Sequence, residues 1–198
     1  MNVSLKIIDD FYPLPEELRA CALSLPDKDE VWDGHTYRGW RRYEHPGFKQ
    51  VMESRLSNVV DGPVSIVLQS FVVATKDFST AQWIHADLGL GQYAAVLHLH
   101  DHDGGTAFWK HVETGEEWIS PEMLDKLGGP EATASRIQKD GKSRGAWEMT
   151  SLAGAKFNRL VVYPSRLFHS RWPKDASGDT PEEGRITWVA FFNAEAFL

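Results

Sequence analysis

The stretch VSIVLQSFVVAT, Val64–Thr75, marks the point at which this chain changes period. From there on, apolar residues come in short runs rich in β-branched and aromatic side chains, bounded by Gly, Asp, Pro or Ser. Ser65–Thr75, Gln82–Asp87, Tyr93–His100, Thr106–Lys110, Arg159–Tyr163 and Arg185–Phe192 all read as strands. On the N-terminal side, residues 5–9 read as a short strand, and Pro13 and Pro15 open a helix towards Leu25. Residues 26–45 read as irregular and polar-aromatic. A second helix is expected over Pro46–Asn58, with Phe48, Val51, Met52 and Leu56 on one face. Between Thr114 and Ala155 lies a polar insertion, with a short helix expected at Pro121–Leu127 and a Gly/Pro/charge-rich stretch after it. Helices first and many short strands afterwards predict a mainly β fold with flanking helices, an antiparallel barrel or sandwich. The expected organisation is one domain over 1–198, with 1–63 as helical support and 64–198 as a β core carrying the 114–155 insertion.

Composition narrows the function classes. A 198-residue chain that is 42% hydrophobic can bury a real core. Its formal net charge of −7 disfavours a nucleic-acid partner, which calls for a basic footprint, and the short Arg38, Arg41, Arg42 group does not supply one. The single cysteine, Cys21, permits neither an intramolecular disulfide nor a Cys-rich zinc site, and its apolar neighbours suggest burial. The N-terminus lacks a signal-like apolar stretch and no run is long enough to span a membrane, so a cytoplasmic protein is expected.

The chemistry concentrates in three places. In Trp83-Ile84-His85-Ala86-Asp87, strand alternation would put Trp83, His85 and Asp87 on one face, with an imidazole and a carboxylate spaced to share a metal. His-x-Asp is common, and a solvated pair is the plain alternative. Further on, the apolar run Asn158–Tyr163 ends in the turn signal Tyr163-Pro164-Ser165, and His169 follows as a third candidate ligand. Two His and one carboxylate on one side of a metal leave three positions open, the arrangement of Fe(II) oxygenases. Finally, Arg185 and Thr187 share a face at the start of an apolar strand. A buried arginine there would want a planar carboxylate, unless it lies exposed and pairs with Glu182 or Glu183.

Taken in order, His85-Ala86-Asp87, Gly104-Gly105-Thr106-Ala107-Phe108, Asn158–His169 and Arg185-Ile186-Thr187 resemble the 2-oxoglutarate/Fe(II)-dependent oxygenases, in particular the prolyl-4-hydroxylase-like branch. The resemblance covers residues 64–193. It implies a double-stranded β-helix (jelly roll, cupin-like), with His85, Asp87 and His169 as iron ligands and Arg185 gripping the distal carboxylate of 2-oxoglutarate. Arg185 follows His169 at a wider gap than is usual in the family, and the polar Pro173–Gly184 stretch reads as an enlarged loop.

The resemblance further implies O₂ as co-substrate and release of succinate and CO₂, with oxidation of a peptidyl, amino-acid or other small substrate. His98 is a candidate contact to 2-oxoglutarate where many relatives carry a tyrosine, with Tyr93 the choice if the strand register is reversed. Trp83 and Trp109 are candidate pocket walls, and the 114–155 insertion a candidate lid or binding element. The rival readings are a cupin-like metal-binding protein or isomerase that keeps the histidine ligands but needs neither 2-oxoglutarate nor Arg185, and a module whose histidines are merely structural; His98, His100 and His102 are an alternative cupin-like metal site. His111-Val112-Glu113 is a weaker second copy of the His-x-Asp spacing.

Overall fold

In a computed structural model of the chain, residues 5–32, 35–76, 83–101, 103–175 and 178–195 are described. In chain order the elements are β1 (Lys6–Ile8), α1 (Pro15–Ser24), β2 (Lys28–Trp32), β3 (His35–Arg41), α2 (Pro46–Val60), β4 (Val64–Ala74), β5 (Tyr93–His98) and β6 (Gly105–His111). They continue with α3 (Pro121–Leu127), α4 (Pro130–Asp140), β7 (Trp147–Gly154), β8 (Arg159–Pro164), β9 (His169–Trp172) and β10 (Arg185–Ala194). A seven-stranded sheet, ordered β1-β8-β5-β10-β4-β3-β2, faces a three-stranded sheet, β7-β6-β9. Every pairing is antiparallel. From β5 onward the chain passes back and forth between the two sheets, to β6 and β7, back to β8, over to β9 and back to β10, the jelly-roll winding expected.

Period-two alternation divides the side chains of the large sheet between two cores. On β10, Ile186, Trp188, Ala190 and Phe192 point outward, under the helices, while Val189 and Phe191 point inward. α2 meets that outer face with Phe48, Met52, Leu56 and Val60, a strict i, i+4 stripe. Val51, expected on this stripe, is 43% exposed instead. The inner core, between the sheets, holds Ala94, Val96, Phe108, Val161, Tyr163, Leu167 and Phe191. A third cluster lies outside the small sheet, where Met123 of α3 and Ile137 of α4 cover Trp109, Trp147 and Phe168.

Several elements depart from the sequence expectation. The supposedly irregular 26–45 region contains β2 and β3, joined to β4 through Trp40↔Val72 and Arg41↔Phe71. Arg41 is buried, and its Nη1 donates to the carbonyls of Ala22 and Leu23 at the end of α1, so the basic group there is structural. The 114–155 insertion contains the expected helix, a second helix, and β7, which pairs along the whole of β6. Residues 83–87 do not form a strand, only His85 among them making a bridge, to His169, and Gln82 lies outside the described residues. Among the described residues, no helix is long and apolar enough to cross a membrane.

Gly104 and Gly105 open β6 where its neighbours approach too closely for a side chain. A Cβ on Gly104 would lie 2.0 Å from the Trp172 carbonyl oxygen, and one on Gly105 2.0 Å from that of Ala153. With φ of 123° and 152°, both also hold backbone conformations that favour glycine.

Candidate metal and co-substrate site

The bridge between His85 and His169 is reciprocal: the His85 N–H donates to the His169 carbonyl at 3.1 Å, and the His169 N–H to the His85 carbonyl at 2.8 Å. Asp87 is fixed two residues on by its N–H to the Ser165 carbonyl, 2.8 Å. These bonds bring the three side chains together. His85 Nε2 lies 3.5 Å from Asp87 Oδ1, and His169 Nε2 lies 3.1 Å from Asp87 Oδ2. One ligand atom from each falls within 4.8 Å of the others, and this is the only such cluster of three among the described residues.

The tautomers follow from the hydrogen bonds. His85 Nδ1 lies 3.0 Å from the Trp83 carbonyl, and His169 Nδ1 2.8 Å from the Leu167 carbonyl. A carbonyl oxygen only accepts, so each Nδ1 carries a proton, which leaves Nε2 as the atom of each ring able to give a lone pair to a metal. Burial, reinforced by the neighbouring His169, holds the His85 pKa below its ordinary value despite Asp87, which favours the neutral ring. Burial alone would raise the Asp87 carboxyl, but His169 and His85 together carry it below its ordinary value. Two imidazole lone pairs and a carboxylate facing one another form a donor set that a divalent cation satisfies, with open positions left over.

The residues expected to hold 2-oxoglutarate lie on the interior of the large sheet. Thr187 and His98 are direct cross-strand partners, both buried, and Arg185 follows two residues away on the same face. Arg185 Nε is buried without a hydrogen-bond partner among the described residues. Neither glutamate considered above pairs with it: the Glu182 carbonyl accepts from Arg19, and the Glu183 carboxylate from the Asp179 N–H. Burial first, and then the nearby Arg171, lower the Arg185 pKa to about 10. That still leaves it cationic at neutral pH, enclosed, and suited to a carboxylate.

Tyr93 lies on the opposite face, in the core under the helices, with its ring centroid 5.6 Å from that of Phe192. Two interior residues were missed in the sequence. Tyr163 packs on His169 at 4.8 Å between centroids. Its hydroxyl pKa is raised well above 10, by burial first and by Asp87, with Arg185 opposing. It therefore feels both the metal triad and the guanidinium. Alternation from Val161, an inward residue, would have assigned it inward, but the adjacent Pro164-Ser165 drew it into a turn. Thr106, inside the glycine motif, is buried with a hydroxyl that has no partner among the described residues.

Other expectations need correction. Trp83 does not share the face of His85 and Asp87. It stacks on Trp172 and donates from Nε1 to the Arg171 carbonyl, outside the small sheet. Trp109, at 0% exposure, belongs to the same outer cluster, its Nε1 on Ser170 Oγ, so neither indole walls the interior. Alternation starts only at the His85 bridge, which is why it misplaced Trp83. The helices of the insertion, α3 and α4, cover the outer face of the small sheet, while its Trp118 packs on the inner core and bridges Leu167. His111 bonds Thr114 and Asp140 while Glu113 pairs with Arg136, so the second His-x-Glu is occupied elsewhere. His100 Nδ1 lies 2.7 Å from the Ile186 carbonyl, and His102 lies outside the described residues.

The winding of the sheets and the His85, Asp87, His169 cluster together define a jelly roll with a His-x-Asp…His grouping that could hold a metal. The chain belongs to the family of unknown function DUF6445, whose sequence profile matches residues 2–192. No protein of curated function matches it in sequence. Among solved structures it is similar to HygX from Streptomyces hygroscopicus with nickel and 2-oxoglutarate bound, at 16% identity and a TM-score of 0.60, covering 96% of this chain and 82% of that one. It is also similar to the non-haem α-ketoglutarate-dependent carbocyclase SnoK from nogalamycin biosynthesis, at 12% identity, TM-score 0.58, and 98% and 82% coverage. A third is EctD from S. alaskensis with bound Fe, at 13% identity, TM-score 0.56, and 97% and 73% coverage.

Proposed function

We propose that this chain is a non-haem Fe(II) enzyme with 2-oxoglutarate as co-substrate, a dioxygenase that hydroxylates a peptidyl, amino-acid or other small substrate and releases succinate and CO₂. The observation that carries this reading is the buried Arg185 Nε without a partner on the interior that also holds the triad. A metal-binding protein or isomerase working without 2-oxoglutarate has no use for such a group. In this reading His85 Nε2, Asp87 and His169 Nε2 hold the metal, and Arg185 and Thr187 take the distal carboxylate, with His98, Tyr163 and Thr106 beside it. Iron with 2-oxoglutarate and O₂ supplies an oxidant able to take hydrogen from an unactivated C–H bond. The residues of this chain bind, orient and exclude water, and the apolar inner core of Val96, Phe108, Val161 and Phe191 keeps the interior dry.

The metals and 2-oxoglutarate held by HygX and EctD support the cofactor assignment. SnoK, described as a carbocyclase, shares the fold, so hydroxylation rests on the resemblance of the sequence motifs, as does the prolyl-4-hydroxylase-like branch.

The test is anaerobic addition of Fe(II) and 2-oxoglutarate, read by the visible metal-to-ligand charge-transfer band. The wild type should show the band, Asp87→Ala should lose it, and Arg185→Ala should need about 10- to 100-fold more 2-oxoglutarate, as for a lost charge-assisted pair. Metal binding without a band would move the assignment to the cupin-like alternative, and no metal binding would reject both.

A further inference from the structure

The Nδ1 atoms of both candidate histidines are held by main-chain carbonyls, and each carbonyl belongs to a peptide whose other end is also held. The Trp83 carbonyl that orients His85 shares its peptide with the Ile84 N–H, which donates to the Gly141 carbonyl at 2.9 Å. The Leu167 carbonyl that orients His169 shares its peptide with the Phe168 N–H, which donates to the Glu117 carbonyl, also at 2.9 Å. Gly141 and Glu117 lie on either side of α3 and α4, in the insertion. Each ligand therefore ends a relay running from insertion carbonyl to peptide to imidazole. Such chains polarise their members and fix ring orientation together.

The two relays differ in what fixes their far ends. His169 belongs to β9 and its ladder with β6. Before its bridge, the His85 arm is held at the main chain by Gly141, whose carbonyl takes the N–H groups of both Trp83 and Ile84 at 2.9 Å, and at the Trp83 indole by the Arg171 carbonyl. Gly141 closes α4, its N–H donating to the Ile137 carbonyl at 2.8 Å, and the preceding Asp140 has its carboxylate held by Arg136 Nε and by the buried His111 Nε2 at 3.2 Å. The Asp140 carbonyl receives Trp147 Nε1 at 3.0 Å. We propose that Asp140 is a positioning residue for the metal centre, setting the His85 ring through the Gly141 carbonyl and the Trp83–Ile84 peptide. The helical insertion is then the mount of the centre rather than its lid. This rests on the metal reading of the triad, although the first arm of its test does not.

The test compares Asp140→Ala, Asp140→Asn and, as a remote destabilising control, Leu56→Ala under α2. In the metal-free protein, amide hydrogen exchange at Trp83 and Ile84 should accelerate at least tenfold in Asp140→Ala while Phe168, in the other relay, keeps its protection. Anaerobic titration with Co(II) should show affinity weakened by about tenfold, the usual effect of losing a partner that orients a ligand. Asp140→Asn, which keeps an acceptor oxygen, should recover most of both, and Leu56→Ala should change neither selectively. Unchanged exchange at Trp83 and Ile84, or equal acceleration at Phe168, would overturn the proposal, as would equal loss of Co(II) affinity in Leu56→Ala. Failure of the wild type to bind Co(II) would reject the metal reading, while the exchange arm would still decide whether Asp140 sets this peptide.

Discussion

Tyr163 is a phenol enclosed between a carboxylate and a guanidinium, and its ring packs on Phe108 as well as on His169. Tyr163→Phe keeps those ring contacts and removes only the hydroxyl. Metal affinity should be unchanged and 2-oxoglutarate affinity reduced by about tenfold, roughly 1.4 kcal/mol, as measured by titrating the charge-transfer band. An unaltered 2-oxoglutarate affinity would separate Tyr163 from the co-substrate. At this scale the sequence was informative wherever chemistry forces rare combinations. His85, Asp87, His169, Arg185, Thr187 and His98 were all named from it, and the structure brings them to one interior. Tyr163 and Thr106 escaped because a buried tyrosine and a buried threonine are ordinary core residues until their neighbours are known.

The elements repeat that lesson. α3 was legible to the residue because its signals are local: Ser120 accepts the Met123 N–H, Pro121 follows, and Gly128 ends the helix in the left-handed region. Ser120→Ala should therefore lower stability by about 1 kcal/mol, read from the urea midpoint. β7 and β9 were not legible, since each is strand only because β6 runs between them. β2 and β3 owe their place to pairing with each other and with β4. The Gly104-Gly105 pair is the converse case, a sequence signal whose cause becomes plain in the structure. Gly105→Ala would place a methyl against the Ala153 carbonyl, and should destabilise by more than about 4 kcal/mol or prevent folding, whereas Gly115→Ala, with open space around it, should be far milder.

For the whole molecule, the buried titratable groups predict a stability maximum for the metal-free protein between mildly acidic and mildly alkaline pH. The folded-state pKa of His85 lies below its ordinary 6.5 and that of Asp87 below 3.8. A depressed pKa contributes stability that is fully present above the unfolded value and lost as pH falls towards the folded one. Acid sensitivity should therefore begin below pH 6.5 and deepen below 3.8. On the alkaline side, burial raises Cys21 above 9.0 and Tyr163 well above 10.0. Raised values contribute stability present below the unfolded pKa and lost as pH climbs past it. Urea midpoints across pH 3–11 should trace this dome, and bound divalent metal should raise it and steepen its acid side, because protons displace the metal from these side chains as pH falls.

The hydrogen bonds accepted by the Glu117 and Gly141 carbonyls also bear on how this scaffold can be cut down. Anyone reducing it to two bare sheets would judge 114–146 dispensable, since it holds none of His85, Asp87 and His169 and its helices lie on the far side of the small sheet. The trimmed version would retain those three side chains and lose the carbonyls that hold the Ile84 and Phe168 N–H groups. A useful miniature has to keep the two carbonyls or rebuild them from another loop.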